Sequence, residues 1–552
     1  MKHFYLLLTL LVGASVLSAQ NGGRITGNLQ SNGNFFIADS IIGASNTPQY
    51  DYQKFGAESW LNLNYSNWGF DIGVRFDVFN NSNLLNPNGS YTDEGIGRWY
   101  VHKKVDKFDL SGGYLYDQIG SGIIFRAYEE RALLIDNALY GVRLGYDLTP
   151  NWKVRAFTGR QKRQFTRYGT TVRGAVLEGF VQPDSTKNLT FAPGIGVVGR
   201  TYDDETVNQI VNTIATYAPR DSTGAQYNTY AATVFNTLSA GAFTWYVEGA
   251  AKTYDVVYDP LAVTATGSRG KLSNRRGYTV YSSLAYAKSG LGATLELKRT
   301  QDFSFRSNPF VVGVQGALNF LPPMAKQNTY RLTARFSPAT QELGEQAVQM
   351  DVKYKVNKAL SLGVNFSDIT QINGDGFLNL DGATQLYREI TPEFTYKYKR
   401  KWQLIGGVQV LKYNIFVYQG KDDFVNAVTP YTEFLYRFNP RKSIRIEAQY
   451  LSTKDEFGSW VNALAEFGWA PHWIMYVSDM YKIPHHNPEE YPVEKTKFDG
   501  LHYPSVGLVY THKASRFSLA YVKQVEGINC AGGICRLEPT FHGVRLNVSS
   551  SF

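Results

Sequence analysis

The sequence predicts an all-β protein, a transmembrane antiparallel β-barrel with an even number of strands, about 20–26, short periplasmic turns and long extracellular loops. Three observations lead there. Apolar and polar residues alternate with a period of two in segment after segment, which is the pattern of strands with one apolar face. Tight turns trade places with long polar stretches, an asymmetry that a soluble sandwich with the same alternation does not require. Aromatic residues make up 14% of the 552 residues, with Tyr 38 ahead of Phe 33. The mean hydropathy is nevertheless −0.28, so a lipid-facing surface must be offset by a polar lumen and polar loops.

Taken in order, the chain opens with Lys2, an apolar run from Phe4 to Val12 and small residues from Ser15 to Ala19. This reads as a signal peptide over residues 1–19, cut before Gln20. No cysteine stands at the cut to carry lipid, and residues 20–552 are read as one barrel. No later stretch approaches the roughly 20 apolar residues of a membrane helix, so a membrane would be crossed by strands. The first clear hairpin sets Leu61, Leu63 and Tyr65 against Asn62 and Asn64, turns at Ser66 and Asn67, and returns with Ile72, Val74 and Phe76 against Asp71, Arg75 and Asp77. The unit recurs at Trp152–Ala156, Phe243–Glu248, Leu291–Lys298, Tyr330–Phe336, Val348–Tyr354 and Ile444–Tyr450. Tight turns are expected at Thr149-Pro150-Asn151, Lys288-Ser289-Gly290, Val356-Asn357-Lys358 and Asn439-Pro440-Arg441. Long loops are expected from Asn80 to Glu94, Asp203 to Tyr227, Pro260 to Arg276 and Asp479 to Gly500. Trp60, Trp68, Trp152 and Trp402 stand near strand ends, where interfacial girdles form.

Four stretches break this rhythm. Between Tyr114 and Asn137 the chain carries Tyr116, Asp117, the glycines 120 and 122, then Arg126, Tyr128, Glu129, Glu130 and Arg131, then Asp136. Two arginines and two glutamates within six residues are too charged for lipid, where an ion at mid-depth costs about 2–4 kcal/mol. The block therefore belongs in the lumen or an outer loop, as a constriction that sets selectivity or as a salt-bridged structural plug. Around residues 119–137 and 304–327 insertions into the lumen are expected; the second, with Leu321-Pro322-Pro323, reads equally as a loop. Val207, Ile210, Val211, Ile214 and Tyr217 recur at helical spacing, predicting a short helix packed in an outer loop. The only cysteines, Cys530 and Cys535, are expected to form a disulfide in an oxidising envelope; two thiolates without histidine partners are half a metal ligand set.

The chain ends inside a strand in which Val544, Leu546 and Val548 alternate with Arg545, Asn547 and Ser549, with Phe552 last. A terminal aromatic resembles the assembly signal of outer-membrane barrels. The Gly120-Ser121-Gly122 element with Arg126 to Arg131 and Asp136-Asn137, Thr329-Tyr330-Arg331-Leu332 after Pro322-Pro323, and Cys530-Ala-Gly-Gly-Ile-Cys535 resemble a porin-like family of uncharacterised outer-membrane barrels of Bacteroidota. The resemblance spans the mature chain. It implies the Gram-negative outer membrane and carries over no activity to any residue.

Function classes narrow accordingly. The formal charge of +9 is spread along the chain, which argues against nucleic acid. The partners expected are outer-membrane lipid and lipopolysaccharide, with the barrel-assembly machinery during insertion. The histidine-rich loop Pro484-His485-His486-Asn487-Pro488-Glu489-Glu490 reads as solvated; no metal or other cofactor and no catalytic residues are assigned, since no nucleophile elbow, phosphate loop or zinc-protease spacing occurs. Lumen-facing candidates include Asp71, Arg75, Asp77, Glu296, Lys298, Arg445 and Glu447. Two readings remain: a pore for small polar solutes, or a filled barrel that serves as a scaffold or export-machinery subunit.

Overall fold

A computed structural model of the chain describes residues 23–552 except 87, 185–187, 312–314, 373–384, 422–423, 487–495 and 532–533. The expected signal peptide over residues 1–19 lies outside the described residues. Twenty-four strands form one sheet. Each pairs antiparallel with its neighbour along the chain, from Arg24–Phe36 with Phe55–Asn67 to Ser515–Gln524 with Phe541–Ser551. The last strand pairs back onto the first, Asn28 opposite Ser551 and Phe35 opposite Val544. The sheet is thus a closed barrel, and closure leaves no unpaired edge. No helix among the described residues is long and apolar enough to cross a membrane.

Successive strands run in opposite directions, so connections alternate between the two ends. The four turns predicted to be tight fall at one end, among them Ser289 and Gly290 (φ 49° and 89°), and Trp68 and Gly69 (φ 51° and 75°) turn the chain at the same end. Paired positive φ values give the hairpin turn that matches strand twist. The long connections fall at the other end. Two connections depart from this division: residues 180–188 are long at the tight-turn end, and only Gln164 and Phe165 join Trp152–Arg163 to Thr166–Gly179 at the long-loop end. The stretch Pro260 to Arg276, expected as a loop, belongs mostly to a tall hairpin of Phe243–Val263 and Arg269–Lys288. The helix Asp204–Ala215 is present, capped by the Asp203 carboxylate, and it packs Val207, Ile210 and Ile214 against Val256 and Leu272 of that hairpin.

The two faces of the wall invert the usual order of burial. Val142, Val234 and Leu519 are 58%, 61% and 54% exposed, whereas Arg75, Glu248 and Lys298 are 2%, 0% and 1% exposed. Strand Phe70–Ser82 shows this directly: Ile72 and Phe76 face out, Arg75 and Asp77 face in. A continuous exposed apolar face is a liability in water and a fit to hydrocarbon.

Two segments leave the sheet without interrupting it. Phe108–Leu115 pairs directly with Leu139–Thr149, and Leu291–Gln301 with Gly344–Lys355, so residues 116–138 and the described residues of 302–343 lie off the wall. The strand predicted at Tyr330–Phe336 is absent: the stretch is turns within the second segment. Its alternation reflects packing in a crowded interior, with Leu332 and Phe336 buried. The hairpin Gly527–Ala531 with Ile534–Glu538 sets Cys530 opposite Cys535. Backbone pairing closes this hairpin; the side chains of both cysteines, and with them the expected disulfide, lie outside the described residues.

Candidate functional site

The lumen differs along its length. In Asn228–Ala240 and Trp460–Trp469, buried and exposed residues alternate strictly in the half nearest the long loops and become half-buried towards the tight turns. Val425–Asn439 shows the same change from one half to the other. Lumen-facing side chains are therefore covered in the long-loop half and reached by solvent in the other half. Residues 116–138 and 302–343 provide cover, together with residues of other long connections such as Ile42, Tyr50, Ile415 and Phe498, buried in the same cluster.

The first segment is latched by charge. Arg75 holds Asp77 through Nε and Nη2 at 2.6 and 2.8 Å, Glu129 through Nη1 at 2.5 Å and Asp136 through Nη2 at 2.7 Å. Lys162 of the wall also pairs with Asp136, Tyr116 donates to it at 2.9 Å, and Arg131 pairs with Glu129 at 2.8 Å. Burial by itself would raise the pKa of Asp136, but Lys162 and Arg75 outweigh it and hold the carboxyl below the usual carboxylate range. Burial pushes the Tyr128 hydroxyl up to about 12. Asp117 lies 3.2 Å from Arg155 and 3.7 Å from Arg143 of the wall. Gly120 and Gly122 adopt φ +55° and +102°, a region costly for residues with a Cβ. Between them Ser121 donates through N and Oγ to Glu248 at 2.8 and 2.5 Å. A Cβ on Gly120 would stand 2.7 Å from the same carboxylate.

The second segment spans the interior. Wall side chains reach its carbonyls from many strands: Lys252 to Ser304 at 2.5 Å, Thr170 to Ser307 at 2.6 Å, Gln161 to Ala317 at 2.6 Å, Lys298 to Pro322, and Gln409 to Thr333 at 3.0 Å. Gln449 accepts from Leu332 N at 2.7 Å. A run of chain that meets strands from Trp152–Arg163 to Lys442–Leu451 must pass through the lumen. Phe303, Phe305, Leu318, Met324 and Phe336 are buried in one cluster with wall residues such as Val198 and Leu411. The two segments join: Arg126 N donates to Leu318 O at 2.8 Å and Phe320 N to Gly122 O at 2.9 Å. The Arg126 guanidinium lies between Tyr128 and Phe320, 4.4 and 4.1 Å from their rings.

Spaces remain around this plug, and two of them bear on passage. One of about 310 Å³ lies against it, lined by Tyr128, Arg200, Tyr202, Asp255, Arg306 and Phe320. Another of about 370 Å³ opens in the solvent-reached half, lined by Asn64, Asp71, Arg98, Tyr100, His102 and Tyr116. The predicted residues Tyr116, Glu129, Arg131 and Asp136 thus meet at Arg75, while Asp117 and Arg126 sit elsewhere on the plug and Glu130 is half-buried beside Glu129. Sequence reading missed the wall anchors Lys162, Glu248, Arg200 and Asp255; the last two pair at 2.7 Å in the interior. Their one signal is a charge at a lumen-facing register position, which many exposed residues share. His485 of the histidine-rich loop is held by Asp499 at 3.0 Å.

Among solved structures, the chain is similar to the siderophore receptor PirA from Pseudomonas aeruginosa, with 10% identity and a TM-score of 0.39 over 97% of this chain and 81% of that one. It is also similar to the P pilus usher (PapC) translocation pore, with 10% identity and a TM-score of 0.38 over 96% and 99%. A third is OccAB4 from Acinetobacter baumannii, with 13% identity and a TM-score of 0.34 over 73% and 97%. At such identities and scores no residue correspondence follows. No curated protein matches the chain. Residues 1–552 match the model of a family of unknown function, DUF6029, and the chain belongs to that family.

Proposed function

We propose that this DUF6029 member is an outer-membrane β-barrel that passes small polar solutes, with the plug of residues 116–138 and 302–343 as its gate. The observation that carries this is a solvent-reached polar vestibule ending on a plug whose first segment is latched to the wall by ion pairs and hydrogen bonds. Such contacts are replaceable by water, so a plug held in this way can be released. The exposed apolar face supports membrane insertion, and the division of turns and loops supports tight turns in the periplasm. On this reading residues 1–19 are the export signal, Phe552 is the contact for the assembly machinery, and the Bacteroidota origin rests on the motif resemblance alone. No catalytic role is proposed.

A specific observation favours a second reading. The cluster around Phe303, Phe305, Leu318, Met324 and Phe336 is a core in its own right, as suits a permanently filled scaffold. Liposome swelling separates the two. Proteoliposomes challenged with sugars and amino acids of increasing size should swell at rates that fall with solute size. Rates equal to empty liposomes, both for the wild type and for a protein lacking residues 302–343, would leave the scaffold.

A further inference from the structure

The outward face of the hairpin Trp152–Arg163/Thr166–Gly179 carries an unusual charge pattern. Thr158 stands opposite Arg173 and Arg160 opposite Thr171, so the two arginines are diagonal neighbours on one face. Tyr140 stands opposite Arg160 on its other side, and the Arg167 guanidinium stacks on the Tyr140 ring at 4.1 Å. All three arginines are exposed, and none forms an ion pair among the described residues. The one side-chain bond among them runs from Arg173 to Thr201 Oγ1 at 3.2 Å. In the lumen, by contrast, Arg75, Arg200 and Arg445 are each paired with carboxylates. Like charges this close repel, and at the edge of an apolar belt they need a counter-anion.

The same face offers room for a lipid. Val142 lies opposite Thr158 and Leu144 opposite Ala156, and these residues with Val101 and Leu110 line a groove of about 810 Å³ that has Arg173 and Lys103 on its border. The hairpin ends in the two-residue connection Gln164-Phe165, so it carries no long loop of its own above the arginines. Guanidinium forks bind phosphate in bidentate fashion. Building on the outer-membrane reading above, we infer that this face seats a lipopolysaccharide molecule, its lipid A phosphates on Arg160, Arg167 and Arg173 and acyl chains in the groove.

The test uses the full-length barrel refolded in detergent, where binding is measured without a membrane. Lipid A and dephosphorylated lipid A are titrated by native mass spectrometry onto the wild type, onto the triple variant Arg160→Gln/Arg167→Gln/Arg173→Gln, and onto Arg276→Gln/Arg299→Gln, which removes outward charge elsewhere on the wall. The expected result is binding of lipid A to the wild type and the double variant, and at least tenfold weaker binding both of lipid A to the triple variant and of dephosphorylated lipid A to the wild type. Heat-modifiable migration should be the same for all three proteins. Equal affinity for dephosphorylated lipid A, or equal loss in the double variant, would overturn the site; the first of these needs no variant to fold. Recovery of the protein outside the outer-membrane fraction would instead sink the membrane reading.

Discussion

Every nitrogen of the Arg75 guanidinium is engaged, by Asp77 on its own strand and by Glu129 and Asp136 from the plug. Removing one partner of a buried ion pair leaves the other charges uncompensated, at about 3–5 kcal/mol. Arg75→Ala should therefore free residues 116–138: limited proteolysis should cut there while the barrel keeps its heat-modifiable migration, and cleavage no faster than in the wild type would contradict the latch. Asp136 gives the pH dependence. Its folded pKa lies below the ordinary value, so it stabilises the plug fully above about pH 4, the unfolded value, and that contribution is lost as pH falls through the folded pKa. Hydrogen-exchange protection of residues 116–138, taken relative to the intrinsic rate at each pH, should fall below about pH 4, and Asp136→Asn should remove that pH dependence by lowering protection already at pH 7. Sequence placed Arg75 on the lumen face and the block from Arg126 to Arg131 off the lipid face. It could not match them, because the partners lie 54 and 61 residues away and nothing in a period of two records what crosses the lumen.

At the scale of elements, legibility followed the apolar belt. Where the outer face is exposed and apolar and the inner face polar, the period is clean, and strands such as Phe70–Ser82 and Ile444–Tyr450 could be read directly. The tall hairpin Phe243–Val263/Arg269–Lys288 rises past that belt, so neither face there need be apolar and its upper part read as a loop. Tyr330–Phe336 erred the other way, since a segment packed on several sides alternates without pairing. Seam closure is another element-level property. Phe552 exchanges backbone hydrogen bonds with Gly27 at 2.8 and 3.0 Å, and a Cβ on Gly27 would stand 2.3 Å from the Phe552 ring. Gly27→Leu and Phe552→Ser should thus both slow assembly, seen as unfolded protein accumulating before insertion; normal insertion kinetics in both would remove the seam from the account.

The whole molecule is a cup. A closed wall of 24 strands is apolar outside, its long-loop half is filled by two segments of the same chain, and its tight-turn half stays open to solvent. The sequence predicted the barrel and expected lumen insertions around residues 119–137 and 304–327; what it left open was the exact strand count, which rests on many weak periods, and whether the second insertion fills the lumen or forms a loop. The central claim is that the plug alone closes an otherwise passable barrel. Single-channel conductance in a planar bilayer under a salt gradient tests it most directly, comparing the wild type with the protein lacking residues 302–343. The account predicts rare, small steps from the wild type and large, stable steps with a reproducible reversal potential from the deletion protein. Silence from a deletion protein that migrates as a folded barrel would contradict it and leave a barrel whose lumen is no path at all.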